Sequence, residues 1–221
     1  MVGKRTYDDG CPVAHGLELV GERWALLVVR ELLLGPKRFT DLRAGLPGIS
    51  ADVLTQRLRE LEEASVVRRR KLSPPAGSWI YELTEWGAGL EPVVTGLARW
   101  AVRSPSMRPE AGLGVDSLVL ALKVLFDSHA AQGFDLTVAL HLGENQFRIQ
   151  ISDGSIELAR GVPDHPDLTL ESDPDTLAAL LRKRRQLAEA LHAGDLKLTG
   201  ARRTAERFLN LFAPPERQTI A

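Results

Sequence analysis

Residues 40–72 read TDLRAGLPGISADVLTQRLRELEEASVVRRRKL, and their order decides the fold of the N-terminal half. Leu42 and Leu46 lie one turn apart on a short helix, Thr40 to Leu46, which Pro47-Gly48 stops. Ser50 is a good N-cap for a second helix running to about Ala64. On it Leu54, Leu58 and Leu61 fall at i, i+4 and i+7 and share one face. The opposite face carries Asp52, Gln56, Arg59 and Glu63, with Thr55 at its edge. The period then changes: residues 66–72 and 78–83 predict two strands, joined by the turn Ser73-Pro-Pro-Ala-Gly77.

A helix held by one apolar face and offering short or forked polar groups on the other suits the DNA major groove. Arg59 can grip guanine and Gln56 adenine, both bidentately. The helix N-terminus directs backbone N–H groups at a phosphate, and the hydroxyls of Ser50 and Thr40 add donors. Alternation along Arg68-Arg69-Arg70-Lys71 sends successive cations to opposite faces, so Arg68 and Arg70 are candidate phosphate contacts, as is Arg38 ahead of the first helix. Residues 37–71 hold nine Lys/Arg against five Asp/Glu. Taken singly, such a helix reads as an ordinary surface helix and such a strand as an edge that resists aggregation. The ordered set of helix, tight turn, helix and basic hairpin is the specific signal.

Working outward, Val13 to Val20 has helical spacing after Pro12, a good first-turn residue. Residues 24–34 are apolar nearly all round, which predicts a buried central helix ended by Gly35-Pro36. Thr84 precedes one long helix, Glu85 to about Val102. Two prolines, two glycines and two serines in residues 103–114 make a joint, so the expected domains are 1–105 and 115–221. The second opens with a helix, Asp116 to His129, followed by alternating strands over 134–142, 146–151, 155–160 and 167–171. Asp153-Gly154 is a strong hairpin signal. Helices from Asp173-Pro174 to Arg182 and from Leu187 to His192, a short strand at 196–198 and a last helix from Ala201 to Phe212 complete an α+β domain with a mainly antiparallel sheet.

Two resemblances add to this reading. Cys11-Pro12-Val13, Gly21-Glu22-Arg23-Trp24, Gly35-Pro36-Lys37-Arg38-Phe39, Leu46-Pro47-Gly48-Ile49-Ser50 and Leu54-Thr55-Gln56-Arg57-Leu58 resemble the HxlR family of winged helix-turn-helix regulators. The resemblance spans about residues 11–103. It implies a homodimer joined through the first and last helices of the domain, binding a palindromic operator of double-stranded DNA with half-sites ~34 Å apart. Asp52 departs from the pattern, since relatives more often carry a basic residue there. Some relatives use a cysteine at the position of Cys11 as a redox sensor, which makes Cys11 a candidate sensor. The alternative is a small residue packed at the dimer interface. Residues 166–181, 187–200 and 208–212 resemble the sterol-carrier-protein-like fold, which implies a hydrophobic effector such as a lipid, sterol, fatty acyl group or aromatic metabolite; the alternative is that this domain is a dimerisation module. Phe126, Phe134, Phe147, Phe208 and Phe212 are its candidate contacts, with ordinary core packing as the alternative for each.

Several classes are excluded by what the chain lacks. The five histidines are isolated, and no phosphate-binding glycine loop or nucleophile elbow occurs. The expectation is therefore no catalysis, no metal and no cofactor. With one cysteine no internal disulfide is available. No apolar run reaches the ~18 residues a membrane span needs, and no secretory leader is visible. A cytoplasmic protein, on the nucleoid when bound to DNA, is the expectation. Its function would be sequence-specific transcription regulation under control of a small hydrophobic ligand. The alternative is a lipid carrier or sequestering protein whose N-terminal domain only dimerises.

Overall fold

The computed structural model describes residues 6–73, 77–107 and 112–212. The chain falls into two compact units, Met1–Val94 and Thr95–Ala221.

In the first unit, Pro12 opens α1 (Pro12–Val20), where its missing N–H costs no hydrogen bond. After Gly21 the chain enters α2 (Ala25–Leu32) through Trp24, whose φ of +79° is a left-handed conformation. For a bulky residue that costs on the order of 1–3 kcal/mol. The helix α3 (Phe39–Gly45) buries Leu42 completely. Gly48, at φ +88°, then turns the chain so that Ser50 can start α4 (Ala51–Glu63). Ser50 Oγ accepts from the Val53 N–H at 3.2 Å. Leu54, Leu58 and Leu61 are buried against Val28, Val29, Leu32 and Leu42 in one core. The hairpin β1 (Val67–Lys71) and β2 (Trp79–Leu83) is antiparallel, with Arg68 opposite Glu82 and Lys71 opposite Trp79. Reciprocal backbone hydrogen bonds between Lys37 and Tyr81 add a short third rung.

The single helix expected over residues 85–102 is two: α5 (Glu85–Ala88) and α6 (Glu91–Ala101). Pro92 has no N–H to donate back to residue 88, and its ring disfavours helix continuation through residues 88–91. Gly87 packs so tightly that a Cβ there would lie 2.0 Å from the Val66 carbonyl oxygen. Thr84 caps α5 as expected, its Oγ1 accepting from the Gly87 N–H at 2.9 Å.

In the second unit α7 (Val115–Leu125) is shorter than the expected Asp116 to His129. It stops because Phe126 adopts extended backbone and forms a β-bridge with Phe212. Next come β3 (Leu136–Leu142), β4 (Asn145–Ser152), β5 (Ser155–Arg160) and β6 (Leu168–Ser172), then α8 (Pro174–Leu181), α9 (Leu187–Ala193), β7 (Leu196–Thr199) and α10 (Arg202–Asn210). The sheet order is β5-β4-β3-β6-β7, and only the β3–β6 pair is parallel. Asp153 and Gly154 both have positive φ, the geometry of a two-residue I′ hairpin. Register puts Leu136, Val138 and Leu140 opposite Ile151, Ile149 and Phe147, so the apolar sides of β3 and β4 form one buried face. This is the α+β class expected.

Candidate nucleic-acid interface

The outward face of α4 carries Asp52, Thr55, Gln56 and Arg59, all exposed. Thr55 Oγ1 donates to the Ala51 carbonyl at 2.8 Å, which occupies its hydroxyl proton within the helix. Gln56 Nε2 donates to Glu60 Oε1 at 2.7 Å. Arg59 has no side-chain partner among the described residues, so its five donors are open to a ligand. Val53, absent from the sequence reading, is also on the surface here at 39% exposure. Its methyl groups suit a thymine methyl, but an apolar residue beside a capping serine carries no signal in sequence. Arg57 takes a different role: largely buried, it pairs with Glu60 at 2.5 Å and reaches Glu22 at 3.6 Å.

At the helix starts, Asp41 Oδ2 accepts the Arg38 backbone N–H at 3.2 Å, and Thr40 Oγ1 donates to Asp41 Oδ1 at 3.3 Å. The Arg38 side chain is exposed. The Ser50 hydroxyl oxygen is used as the cap, while its proton remains available to a phosphate.

The hairpin differs from the expectation in one respect. Arg68 and Arg70 do share a face, but Glu82 stands between them. Its Oε1 accepts from Arg68 Nε at 2.8 Å, and its carboxylate takes two bonds from Arg70, at 3.2 and 3.0 Å. The Arg70 hydrogen bonds, joined by those of Arg68, hold the Glu82 carboxyl below its usual range despite burial. The same contact pushes the Arg70 pKa up. On the other face Arg69 stacks over the half-exposed Trp79 ring, 4.2 Å from its centroid. The expected wing tip lies partly at residues 74–76, outside the described residues.

Beneath these elements is an ionic cluster that the apolar look of residues 24–34 concealed. Glu31, only 2% exposed on α2, accepts from Lys37 Nζ at 2.5 Å and from Arg30 at 2.8 Å. A Cβ on Gly45 would lie 2.1 Å from Glu31 Oε2. The carboxylate thus joins α2 to the end of α3 and, through Lys37, to the hairpin at Tyr81.

The remaining candidates are placed as follows. Cys11 is an exposed free thiol at the head of α1. The backbone N–H groups of Ala14 and then Val13 favour its thiolate and lower its pKa. Lys4 and Arg5, two cations close to Cys11 in sequence that would favour its thiolate, lie outside the described residues. Phe126, Phe208 and Phe212 come together, with Phe208 and Phe212 edge-to-face at 5.0 Å and Phe126 at 6.1 Å from Phe212. Phe134 instead lies under the Arg207 guanidinium and Phe147 under that of Arg160. Phe147, Phe208 and Phe212 are fully buried, as packed core residues are. Two helices leave apolar side chains in solvent: α1 exposes Val13 and Leu17, and α6 exposes Val93, Leu97 and Trp100 at i, i+4 and i+7. Among the described residues no helix is long and apolar enough to cross a membrane.

Residues 19–107 match the model of the HxlR-like helix-turn-helix family. Residues 111–218 match that of the alkyl sulfatase C-terminal domain, which is compatible with a sterol-carrier-like α+β domain. Relatives include the HTH-type transcriptional regulator YodB of Bacillus subtilis (strain 168), 38% identical over 92 residues, which are 41% of this chain and 82% of YodB. The HTH-type transcriptional regulator YdeP of the same organism is 39% identical over 94 residues, 42% of this chain and 72% of YdeP. Among solved structures, the sec-alkylsulfatase Pisa1 from Pseudomonas sp. aligns at a TM-score of 0.44 and 20% identity. That alignment covers 47% of this chain and 17% of the enzyme, so this chain spans about a sixth of the enzyme's length.

Proposed function

The chain belongs to the HxlR-like helix-turn-helix family through residues 19–107, and from that premise we propose that it is a homodimeric, sequence-specific DNA-binding transcription regulator whose C-terminal domain receives a small effector. The observation that carries this reading is the two-sided α4. Its leucine face is fully buried, and its opposite face presents to solvent Gln56 and an Arg59 with no side-chain partner among the described residues. A helix that only braced a dimer would have no need of that pair.

In this reading residues 1–105 bind DNA and residues 115–221 sense the effector. Arg59 and Gln56 read base edges, Val53 and Thr55 supply apolar contact, and Asp52 accepts from a cytosine amine. Arg38, Thr40 and Ser50 hold phosphates at the helix starts. On the hairpin, Glu82 neutralises part of the charge of Arg68 and Arg70. The strongest backbone contact there passes to Arg69, whose guanidinium lies over the Trp79 ring and has no carboxylate partner among the described residues. The exposed apolar rows on α1 and α6 are covered by a second copy. Effector binding favours one spacing of the two α4 helices, and a shift of a few ångströms mismatches the half-sites. The protein acts in the cytoplasm, on the nucleoid. Cys11 is a second input: YodB has been seen in reduced, diamide-treated and quinone-bound forms, and the Cys11 thiol is exposed and acidified.

Selection of genomic fragments by purified protein tests the proposal. Wild type should enrich one palindromic site, and Arg59→Ala should lose the enrichment. Fragments taken up without preference by both proteins would favour the carrier reading instead.

A further inference from the structure

Charge in the C-terminal unit is segregated. Residues 112–181 hold eleven Asp/Glu against three Lys/Arg, whereas residues 182–207 hold eight Lys/Arg against three Asp/Glu. The basic stretch follows α8 and includes α9, β7 and most of α10. Where α8, α9 and α10 meet there is a groove of about 260 Å³. Leu180, Leu187 and Leu209, each nearly fully buried, line it with apolar surface. Lys183, Arg185 and Arg202 line it with charge. Glu206 is the one carboxylate among the lining residues, so cations outnumber it three to one, and a concave site with such an excess of one charge focuses the field on an entering anion.

Local structure fixes those cations. Lys183 sits at φ +56°, a left-handed conformation unfavourable for a non-glycine residue. From there Nζ donates to the Leu209 carbonyl and to Asn210 Oδ1, both at 3.0 Å. Both partners are neutral, so among the described residues the ammonium meets no carboxylate. Burial without a counter-charge lowers its pKa. Arg185 is oriented by Asp195 at 2.5 Å and Arg202 by Glu206 at 2.9 Å. Closing the end of α10 accounts for the hydrogen bonds of Lys183. It does not account for the gathering of Arg185 and Arg202 on the same groove, above three leucines whose remaining exposed surface faces it.

We propose that this groove binds a small organic anion, a carboxylate or sulfonate on a short apolar body, with its acid group at Lys183 and Arg202 and its body on the three leucines. The volume of about 260 Å³ lies just below the ~300–1,000 Å³ of typical ligand sites, which favours a body smaller than a sterol. The proposal deepens the effector reading and rests on it for its regulatory meaning. It gives the effector a charge and places it away from the phenylalanine cluster.

Calorimetric titration of the full chain with sodium octanoate, 1-octanol and inorganic phosphate tests it. Octanoate should bind saturably, one per protomer, and the other two at least about tenfold more weakly. Arg202→Gln and Lys183→Met should each weaken octanoate about tenfold. Because Lys183 also caps α10, Arg202→Gln, at an exposed position, is the variant expected to keep the wild-type melting curve. Equal uptake of octanol and octanoate, no octanoate binding at millimolar concentration, or binding unchanged in both variants would overturn the site. The same preparations are carried through the genomic selection. Site enrichment without octanoate binding refutes the groove alone, and octanoate binding without enrichment refutes the regulator reading alone.

Discussion

At the scale of single residues, the hairpin gives the sharpest consequences. Four successive cations are equal in the sequence, and only the cross-strand register of Arg68 with Glu82 separates them. That register could not be read from either strand alone, because the turn between them sets it. Arg69→Ala should lower the slope of log affinity against log salt by about 0.9, the value for one phosphate contact. Arg68→Ala should change it by clearly less, which titration at three salt concentrations will decide. Glu82→Gln should cost about 1 kcal/mol of stability at neutral pH, a figure kept small because both guanidinium groups are well exposed. Its folded pKa is depressed, so the carboxylate stabilises the protein above its unfolded pKa and loses that effect as pH falls through the folded value. The gap in melting temperature between wild type and Glu82→Gln should therefore close on acidification, and a gap independent of pH would contradict the ion-pair account. For Cys11, iodoacetamide alkylation against pH should show a midpoint below that of a free cysteine thiol, whose pKa is about 8.5. An unshifted midpoint would remove the chemical basis for a sensor.

At the scale of elements, most helices and strands were legible because their signals are local. Ser50, Thr84 and Asp173 each cap the helix they precede, and Asp153-Gly154 makes its hairpin. What was not legible depends on distant partners. The end of α7 is set by a bridge to Phe212, far along the chain. The parallel pairing of β3 with β6 leaves no trace in either strand's own alternation. The role of Glu31 was hidden in a stretch apolar nearly all round, because its partner Lys37 lies beyond Gly35-Pro36. Gly45→Ala tests that cluster: a methyl group must displace a carboxylate held by two cations, and should cost on the order of 1–3 kcal/mol in chemical denaturation. A neutral effect would mean that the carboxylate moves freely and does not tie α2 to α3.

At the scale of the whole molecule, the N-terminal half was readable nearly to its function, because helix, turn, helix and basic hairpin occur in one short stretch. The C-terminal half was readable only to its class. Its five phenylalanines suggested one apolar pocket, yet three pack together and two lie beneath arginines. The groove among α8, α9 and α10 is assembled from three helices, and no single helix announces it.

The central claim is that the outward face of α4 reads base sequence. Its most direct test is the affinity of wild type and Arg59→Ala for the selected site and for a scrambled duplex of equal length and composition, at one salt concentration. Wild type should prefer the site, and Arg59→Ala should lose ~1–3 kcal/mol on it with little change on the scrambled duplex. Equal losses on both duplexes would reduce Arg59 to a phosphate contact. No preference by wild type in the first place would contradict the reading of α4 altogether.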